Sequence, residues 1–313
     1  TGLFSKIKSN PVSQNIRDGV SFFNEGGFDG IIAWGGGSGI DAAKAVALMA
    51  GQSISIWDLE DVGNNWIKAD PAKIPRILAV PTTSGTGSEV GRSSVITDEK
   101  TATKKVIFHP DLLPSAVICD PMLVTGLSEN LTAYTGMDAL IHCFEAFCSP
   151  GYHPMADGIA LEGMKLAANW LPKAYQDGQD LEARSHMMSA AAMGATAFQK
   201  GLGAIHSLSH PMSALYDAHH GLANAVFMPY VIAYNHIAIA EKLKTISSYL
   251  NLKKSGYTGV MDWVLELRDK FKIPATPANL GAQVDQISKL ALMAAADPTA
   301  NGNPIPVGPA EMR

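Results

Sequence analysis

The chain has 313 residues, 47% of them hydrophobic and 17% charged, with a net charge of −5; this is long enough for two domains with sizeable cores. No basic run is longer than the pairs Lys104-Lys105 and Lys253-Lys254, which excludes a nucleic-acid or anionic-membrane surface, and no apolar run reaches the roughly 18 residues of a membrane-spanning helix. Three cysteines, Cys119, Cys143 and Cys148, fit free thiols in a reducing cytoplasm better than a disulfide framework.

In NPVSQNIRDGVSFFNEGG, apolar residues at 12, 16, 20 and 23 predict a helix closed by Gly26 and Gly27. The run 30-GIIAW-34 reads as a buried strand, followed by a glycine loop and a helix over 40–50. A second buried strand, 77-ILAV-80, runs into a loop of threonines, serines and glycines, and SSVIT, KKVIF and SAVIC read as three further strands, the first two joined by a polar turn. From Leu131 onward the β signal gives way to segments rich in Ala, Met and Leu at helical spacing, 131–147, 154–171 and 182–198 among them. The expected fold class is α/β: a Rossmann-like dinucleotide-binding domain over 1–130, then an all-helical domain over 131–313.

The stretch 35-GGGSGIDAAK-44 lies where a strand ends and a helix begins, so backbone N–H groups and the helix dipole there favour a phosphate. The match of 37–42 to GxGxxA is loose and equally fits a tight turn. A P-loop is excluded because no GK[ST] follows. A second loop, 81-PTTSGTGSE-89, offers five hydroxyls after another strand, and two such loops at strand ends would face one crevice of a doubly wound sheet; solvent-exposed turn chemistry would produce the same composition.

In 136-GMDALIHCFEAF-147, a helix places Asp138, His142 and Glu145 on one otherwise apolar face. Buried there, the carboxylate and imidazole could simply satisfy one another. A second histidine cluster changes that balance: 201-GLGAIHSLSHPMSALYDAHHG-221 holds His206, His210, His219 and His220, with a helix that must kink or end near Pro211. Asp138, His142, His206 and one further histidine form a three-nitrogen, one-oxygen set suited to Fe2+, Zn2+ or another borderline divalent ion.

These four motifs, in this order and spacing, closely resemble the iron-containing (group III) alcohol dehydrogenases, over essentially the whole chain. The resemblance implies a dehydroquinate synthase-like architecture in which nucleotide and metal meet between the two domains. It implies Asp138, His142, His206 and His220 as metal ligands, with His210 a non-ligand histidine beside the nicotinamide and the candidate catalytic group. It also implies that Gly36, Gly37, Ser38 and Asp41 form the pyrophosphate loop, that Thr82, Thr83 and Thr86 contact the phosphates and nicotinamide, and that Lys104 rather than Lys105 contacts the cofactor. Glu145 is then a structural or supporting group, and His219 an exposed turn residue, although Pro-His-Gly is replaced here by His219-His220-Gly221 and the ligand could slip by one.

Family members carry an earlier strand-helix-strand unit that reads the adenosine ribose, and a longer C-terminal helix; neither is expected in this sequence, which leaves NAD or NADP open. The implied reaction is reversible hydride transfer between a small primary alcohol or diol, or its aldehyde, and NAD(P), with the metal as Lewis acid, in a cytoplasmic homo-oligomer, a dimer. A zinc polyol dehydrogenase or a dehydroquinate synthase-like lyase is the alternative within the superfamily. An HD-type phosphohydrolase lacks its adjacent His-Asp pair here. Trp57, Trp66, Phe147 and Tyr216 are candidates for pocket walls, or for core.

Overall fold

The computed structural model describes residues 1–313 and divides into two compact units, one of Thr1–Thr83 with Gly87–Leu123, the other of Ser84–Thr86 with Val124–Arg313. In the first unit the helix α1 (Ser13–Glu25) is followed by β1 (Gly30–Gly35) and α2 (Gly37–Met49). Then come β2 (Arg76–Pro81), β3 (Ser93–Asp98), β4 (Thr103–Phe108) and the two-residue β5 (Ala116–Val117). Strands β1, β2 and β5 form a parallel sheet in that order, with Gly30 paired to Arg76 and Leu78 to Ala116. The predicted SAVIC strand is shorter than expected, but the amides of Ser115 and Ile118 continue its ladder to the carbonyls of Ile77 and Ala79 at 2.7 and 2.9 Å. Strands β3 and β4 form a separate antiparallel hairpin, Ser93 opposite Phe108 and Asp98 opposite Thr103.

Two expectations change here. β1 is a strand, but not a fully buried one: Ala33 packs into the core with Ile40, Ala45 and Ile77, whereas Ile32 and Trp34 are 68% and 62% exposed. Helix α2 packs on one face of this sheet, so the continuous apolar run does not signal burial on both faces. The second helix begins at Gly37 rather than Ile40, with Gly36 as its cap and the first helical hydrogen bond from the Ile40 amide to the Gly36 carbonyl at 3.0 Å. Its glycines are therefore the first turn of the helix.

The second unit is all helical: α3 (Glu129–Cys148), α4 (Pro154–Gln176), α5 (Leu181–Ala197), α6 (Ala204–Tyr216), α7 (His220–Asn235), α8 (Ala240–Tyr249), α9 (Gly256–Lys270) and α10 (Ile287–Ala296). At its centre α3 is buried without interruption from Thr135 to Cys148, with α4, α5 and α7 packed around it. A helix apolar on all sides buries itself this way, and any polar residue it carries must find partners inside the core. Ser128 caps its start, accepting from the Leu131 amide at 3.3 Å.

Helix α6 does not end at Pro211; it continues to Tyr216 and stops at Asp217 in the left-handed conformation, φ 51°. Likewise α4 runs through Pro172. Packing of α6 on α7 and α10 outweighs the hydrogen bond that the proline removes. The cysteines are free thiols, Cys119 exposed and the other two buried; burial pushes the thiols of Cys143 and Cys148 up to about 12, so neither is a thiolate ligand near neutral pH. No helix is long and apolar enough to cross a membrane.

Candidate metal and nucleotide sites

In the helical unit, Asp138 and His142 stand one turn apart on α3, His206 lies in the first turn of α6, and His220 is the first residue of α7. The close approach of α7 to α3 requires a glycine after His220: a Cβ on Gly221 would lie 2.2 Å from the Tyr134 carbonyl oxygen and 3.1 Å from the Asp138 Cβ. The Nε2 atoms of His142, His206 and His220 stand 3.9, 3.9 and 3.7 Å from Asp138 Oδ1, and one donor atom from each of the four side chains lies within 4.8 Å of every other. These separations exceed hydrogen-bond length. Four ligands about 2.1 Å from a cation in a tetrahedron stand roughly 3.4 Å apart, so the four residues fit a divalent cation with the cage slightly open.

The protons on the rings agree with that role. His206 Nδ1 is 2.6 Å from Glu145 Oε2, while the Ile205 amide donates to the other carboxylate oxygen at 2.7 Å. The proton of His206 is therefore on Nδ1, and Nε2 presents a lone pair to the cage. Ser209 Oγ donates to the His206 carbonyl at 3.0 Å and stands 3.3 Å from His220 Nδ1. With its one proton used, the hydroxyl accepts from His220, whose Nε2 is also left as a lone pair. Burial opposes charge on both His142 and His206. For His142 burial wins, and its ring is pushed down to about 4; it stays neutral near pH 7, as a metal donor must be. For His206 the hydrogen bond and charge of Glu145 outweigh burial and raise the ring above its ordinary value. His142 Nδ1 is buried without a hydrogen bond of normal geometry, and its ring stacks on His206 at 4.8 Å.

His210 is outside the four-donor set. Its ring stacks on that of His220 at 5.3 Å, and its Nδ1 is 2.7 Å from Asp297 Oδ2. Burial would raise the Asp297 carboxyl, but His210 and the two hydrogen bonds from Thr299 hold it below the usual carboxylate range. His219 is exposed, caps α7, and lies against Tyr134 with ring centres 5.3 Å apart; the structure turns His220, not His219, toward Asp138. Sequence reading missed Asp297, although an acidic residue just before a proline at a helix end is a visible signal. It also missed Asn224, which is buried with Nδ2 2.8 Å from Asp138 Oδ1.

In the α/β unit, the amides of Gly37, Ser38 and Gly39 lie in the first turn of α2, where no intrahelical acceptor exists. A Cβ on Gly36 would stand 3.0 Å from the Thr83 methyl, so the two loops pack against each other, and the Thr82 amide donates to the Gly35 carbonyl at 2.9 Å. The Ser38 hydroxyl donates to the Ser9 carbonyl. The Asp41 carboxylate is already engaged: it accepts from Ser88 Oγ at 2.5 Å and the Val95 amide at 3.0 Å, with Lys44 Nζ at 3.5 Å. Lys44, unremarked in the sequence reading, is fully buried and donates to the carbonyls of Ser88, Gly91 and Ser93. Burial lowers its ammonium below the ordinary lysine range, despite the opposing charge of Asp41. Thr86 belongs to the helical unit, as does Gly85, where a Cβ would meet the Thr135 carbonyl oxygen at 2.9 Å.

On β4, Lys105 is engaged by Glu60 at 3.1 Å, Asp98 at 3.5 Å and the face of Trp57. Its neighbour Lys104 points to the opposite face of the hairpin, as strand alternation requires. Of the candidate walls, Phe147 is core of the helical unit, Trp57 packs against the core of the α/β unit, Trp66 lies edge-on to His109, and Tyr216 is half-buried at the end of α6.

The chain thus combines an α/β unit whose second helix opens on anion-favouring amides with an all-helical unit in which four side-chain donors converge. The family model for iron-containing alcohol dehydrogenases matches residues 1–121, and that for the C-terminal part of the same family matches residues 132–313. The chain belongs to the iron-containing alcohol dehydrogenase family and is an alcohol dehydrogenase. It is 37% identical to a 4-hydroxybutyrate dehydrogenase of Cupriavidus necator, over 99% of this chain and 83% of that one. The crystal structure of a 1,3-propanediol oxidoreductase superposes with a TM-score of 0.93 at 34% identity, covering 99% of this chain and 82% of the other. A sulfoacetaldehyde reductase from Bifidobacterium kashiwanohense in complex with NAD+ superposes with a TM-score of 0.89 at 28% identity, covering 100% and 81%.

Proposed function

We propose that the protein catalyses reversible hydride transfer between a small primary alcohol or diol and NAD(P), giving the aldehyde. The observation that carries this reading is the convergence of Asp138, His142, His206 and His220 on one point inside the helical unit, in a family whose relatives include the 4-hydroxybutyrate and propanediol enzymes. These four residues would hold Fe2+, or Zn2+ in its place. When bound, such a cation supplies Lewis acidity toward an alcohol or carbonyl oxygen.

The remaining chemistry belongs to the chain. The amides at the start of α2, capped by Gly36, bind the pyrophosphate, and Gly37 and Ser38 contribute backbone donors. Asp41, on the same helix, anchors the 88–95 segment through Ser88 and the Val95 amide, beside Lys44. Thr82, Thr83 and Thr86 contribute hydroxyls to the cofactor and Lys104 a cation, Lys105 being held by Glu60 and Asp98. His210 moves the proton: Asp297 keeps a proton on Nδ1, so Nε2 is free to accept the one released by the alcohol hydroxyl as hydride leaves the adjacent carbon for the nicotinamide. The free thiols agree with a reducing cytoplasmic compartment, and a homodimer is the proposed assembly.

Purification without air, metal analysis, and a panel of alcohols, diols and aldehydes run with NAD and NADP test the reading. One iron or zinc per chain and nicotinamide-linked turnover are expected. Absence of both metals from active protein would overturn the metal assignment, and absence of turnover with either dinucleotide would overturn the reaction.

A further inference from the structure

We infer that Asn224 is a positioning residue for the cation cage, holding the Asp138 carboxylate in place while supplying no ligand of its own; this rests on the metal reading above. Asn224 sits on α7 one turn after His220 and is fully buried. Its Nδ2 lies 2.8 Å from Asp138 Oδ1 and 3.2 Å from the Nε2 atoms of both His206 and His220. All three of these atoms are acceptors. Asp138 offers a carboxylate oxygen, and the two rings carry their protons on Nδ1, toward Glu145 and Ser209.

That arrangement decides which end of the carboxamide faces the cage. Turned over, the amide oxygen would face three lone pairs at the same short distances; only the NH2 end is attractive there. The opposite end carries the corresponding cost, since Asn224 Oδ1 is buried and has no hydrogen-bond partner. A residue kept in the core with one polar atom unsatisfied is poorly explained by stability alone. An NH2 group has two hydrogens, so it cannot serve three acceptors fully. Once the imidazole lone pairs are committed to a cation, the bond to Asp138 persists, because a carboxylate oxygen has a second lone pair. Asn224 thus gathers the donors before the cation arrives and fixes the carboxylate afterwards, as outer groups commonly do for metal ligands.

The full chain, stripped with a chelator and reloaded without air with Fe2+ or Co2+, provides the test. Asn224→Leu removes the donor at similar volume, and Asn224→Ala is the second variant. Both should release the cation to a competing chelator about 10–100-fold faster than the parent, and the Co2+ ligand-field spectrum should shift while far-ultraviolet circular dichroism stays unchanged. Unchanged release and an unchanged spectrum in the variants, beside a parent that loads normally, would overturn the role of Asn224 alone. A parent that takes up neither cation would overturn the metal reading itself. If neither variant folds, Asn224 is a fold residue and the inference fails.

Discussion

Glu145 reaches across from α3 to join two parts of α6, its Oε2 2.6 Å from His206 Nδ1 and its Oε1 accepting the Ile205 amide at 2.7 Å. One buried carboxylate therefore fixes both the start of the helix and the direction of the imidazole. Glu145→Gln keeps the shape and loses the charge; cation retention should fall by about 10–100-fold, read as the rate of loss to a chelator. Glu145→Ala leaves a buried imidazole unpaired and should lower unfolding free energy by about 3–5 kcal/mol in urea titrations. Equal metal retention in Glu145→Gln and the parent would refute this role.

Gly221 carries the α3–α7 contact. In Gly221→Ala the new methyl must displace the Tyr134 carbonyl, a backbone atom that cannot rotate away, so the start of α7 must move and take His220 with it. The expected cost is about 1–3 kcal/mol, accompanied by loss of cation binding. A variant that melts and binds metal like the parent would show that the contact is less tight than 2.2 Å implies.

Asp297→Asn should lower kcat by at least tenfold while leaving metal content near one per chain, since Asp297 touches His210 and none of the four donors. The carboxylate sets the protonated end of the ring, and an amide can also point its NH2 at Nδ1 and reverse the tautomer. Unaltered kcat would remove His210 from the proton path.

The metal-free protein should lose stability in acid through His142. Its ring is pushed down to about 4 from an unfolded value near 6.5, so between these values the unfolded chain binds the extra proton and the folded one does not. Stability is therefore fully present above pH 6.5 and declines as pH falls toward 4, by about 3 kcal/mol in all. Denaturant titrations at pH 7 and pH 4 on the parent and on His142→Gln isolate the effect, the variant losing less across the interval. An equal loss in both proteins would assign it to other groups.

The two adjacent lysines of β4 should separate. Lys104→Ala should raise the dinucleotide Kd by about tenfold, the scale of one charge-assisted contact. Lys105→Ala should leave that Kd nearly unchanged and lower the melting temperature, because its ammonium is held by Glu60, Asp98 and Trp57. If Lys105→Ala weakens the cofactor more than Lys104→Ala, the assignment slips by one residue.

Much of this protein is legible one residue at a time. Periodicity alone separates the α/β half from the helical half, and the four-residue spacing of Asp138 and His142 places both on one face of α3. The order of the glycine, threonine, aspartate and histidine motifs points to the family, because each motif is a local requirement of backbone or helix geometry. Three-dimensional packing decided the rest. His220 and not His219 faces Asp138 because Gly221 lets α7 approach α3; the paired histidines are indistinguishable until a second helix is beside them. Asp41 looked like a phosphate-loop residue, yet partners forty-seven and fifty-four positions away occupy its carboxylate. β1 looked buried on both faces, and its exposure depends on which layers cover the sheet. Asp297 and Asn224 gain their meaning from contacts with His210 and Asp138, 87 and 86 positions distant in the chain. Spacing along one helix is set by the backbone and can be read from the sequence; spacing between helices is set by side-chain volume and close packing, which only the folded chain reveals.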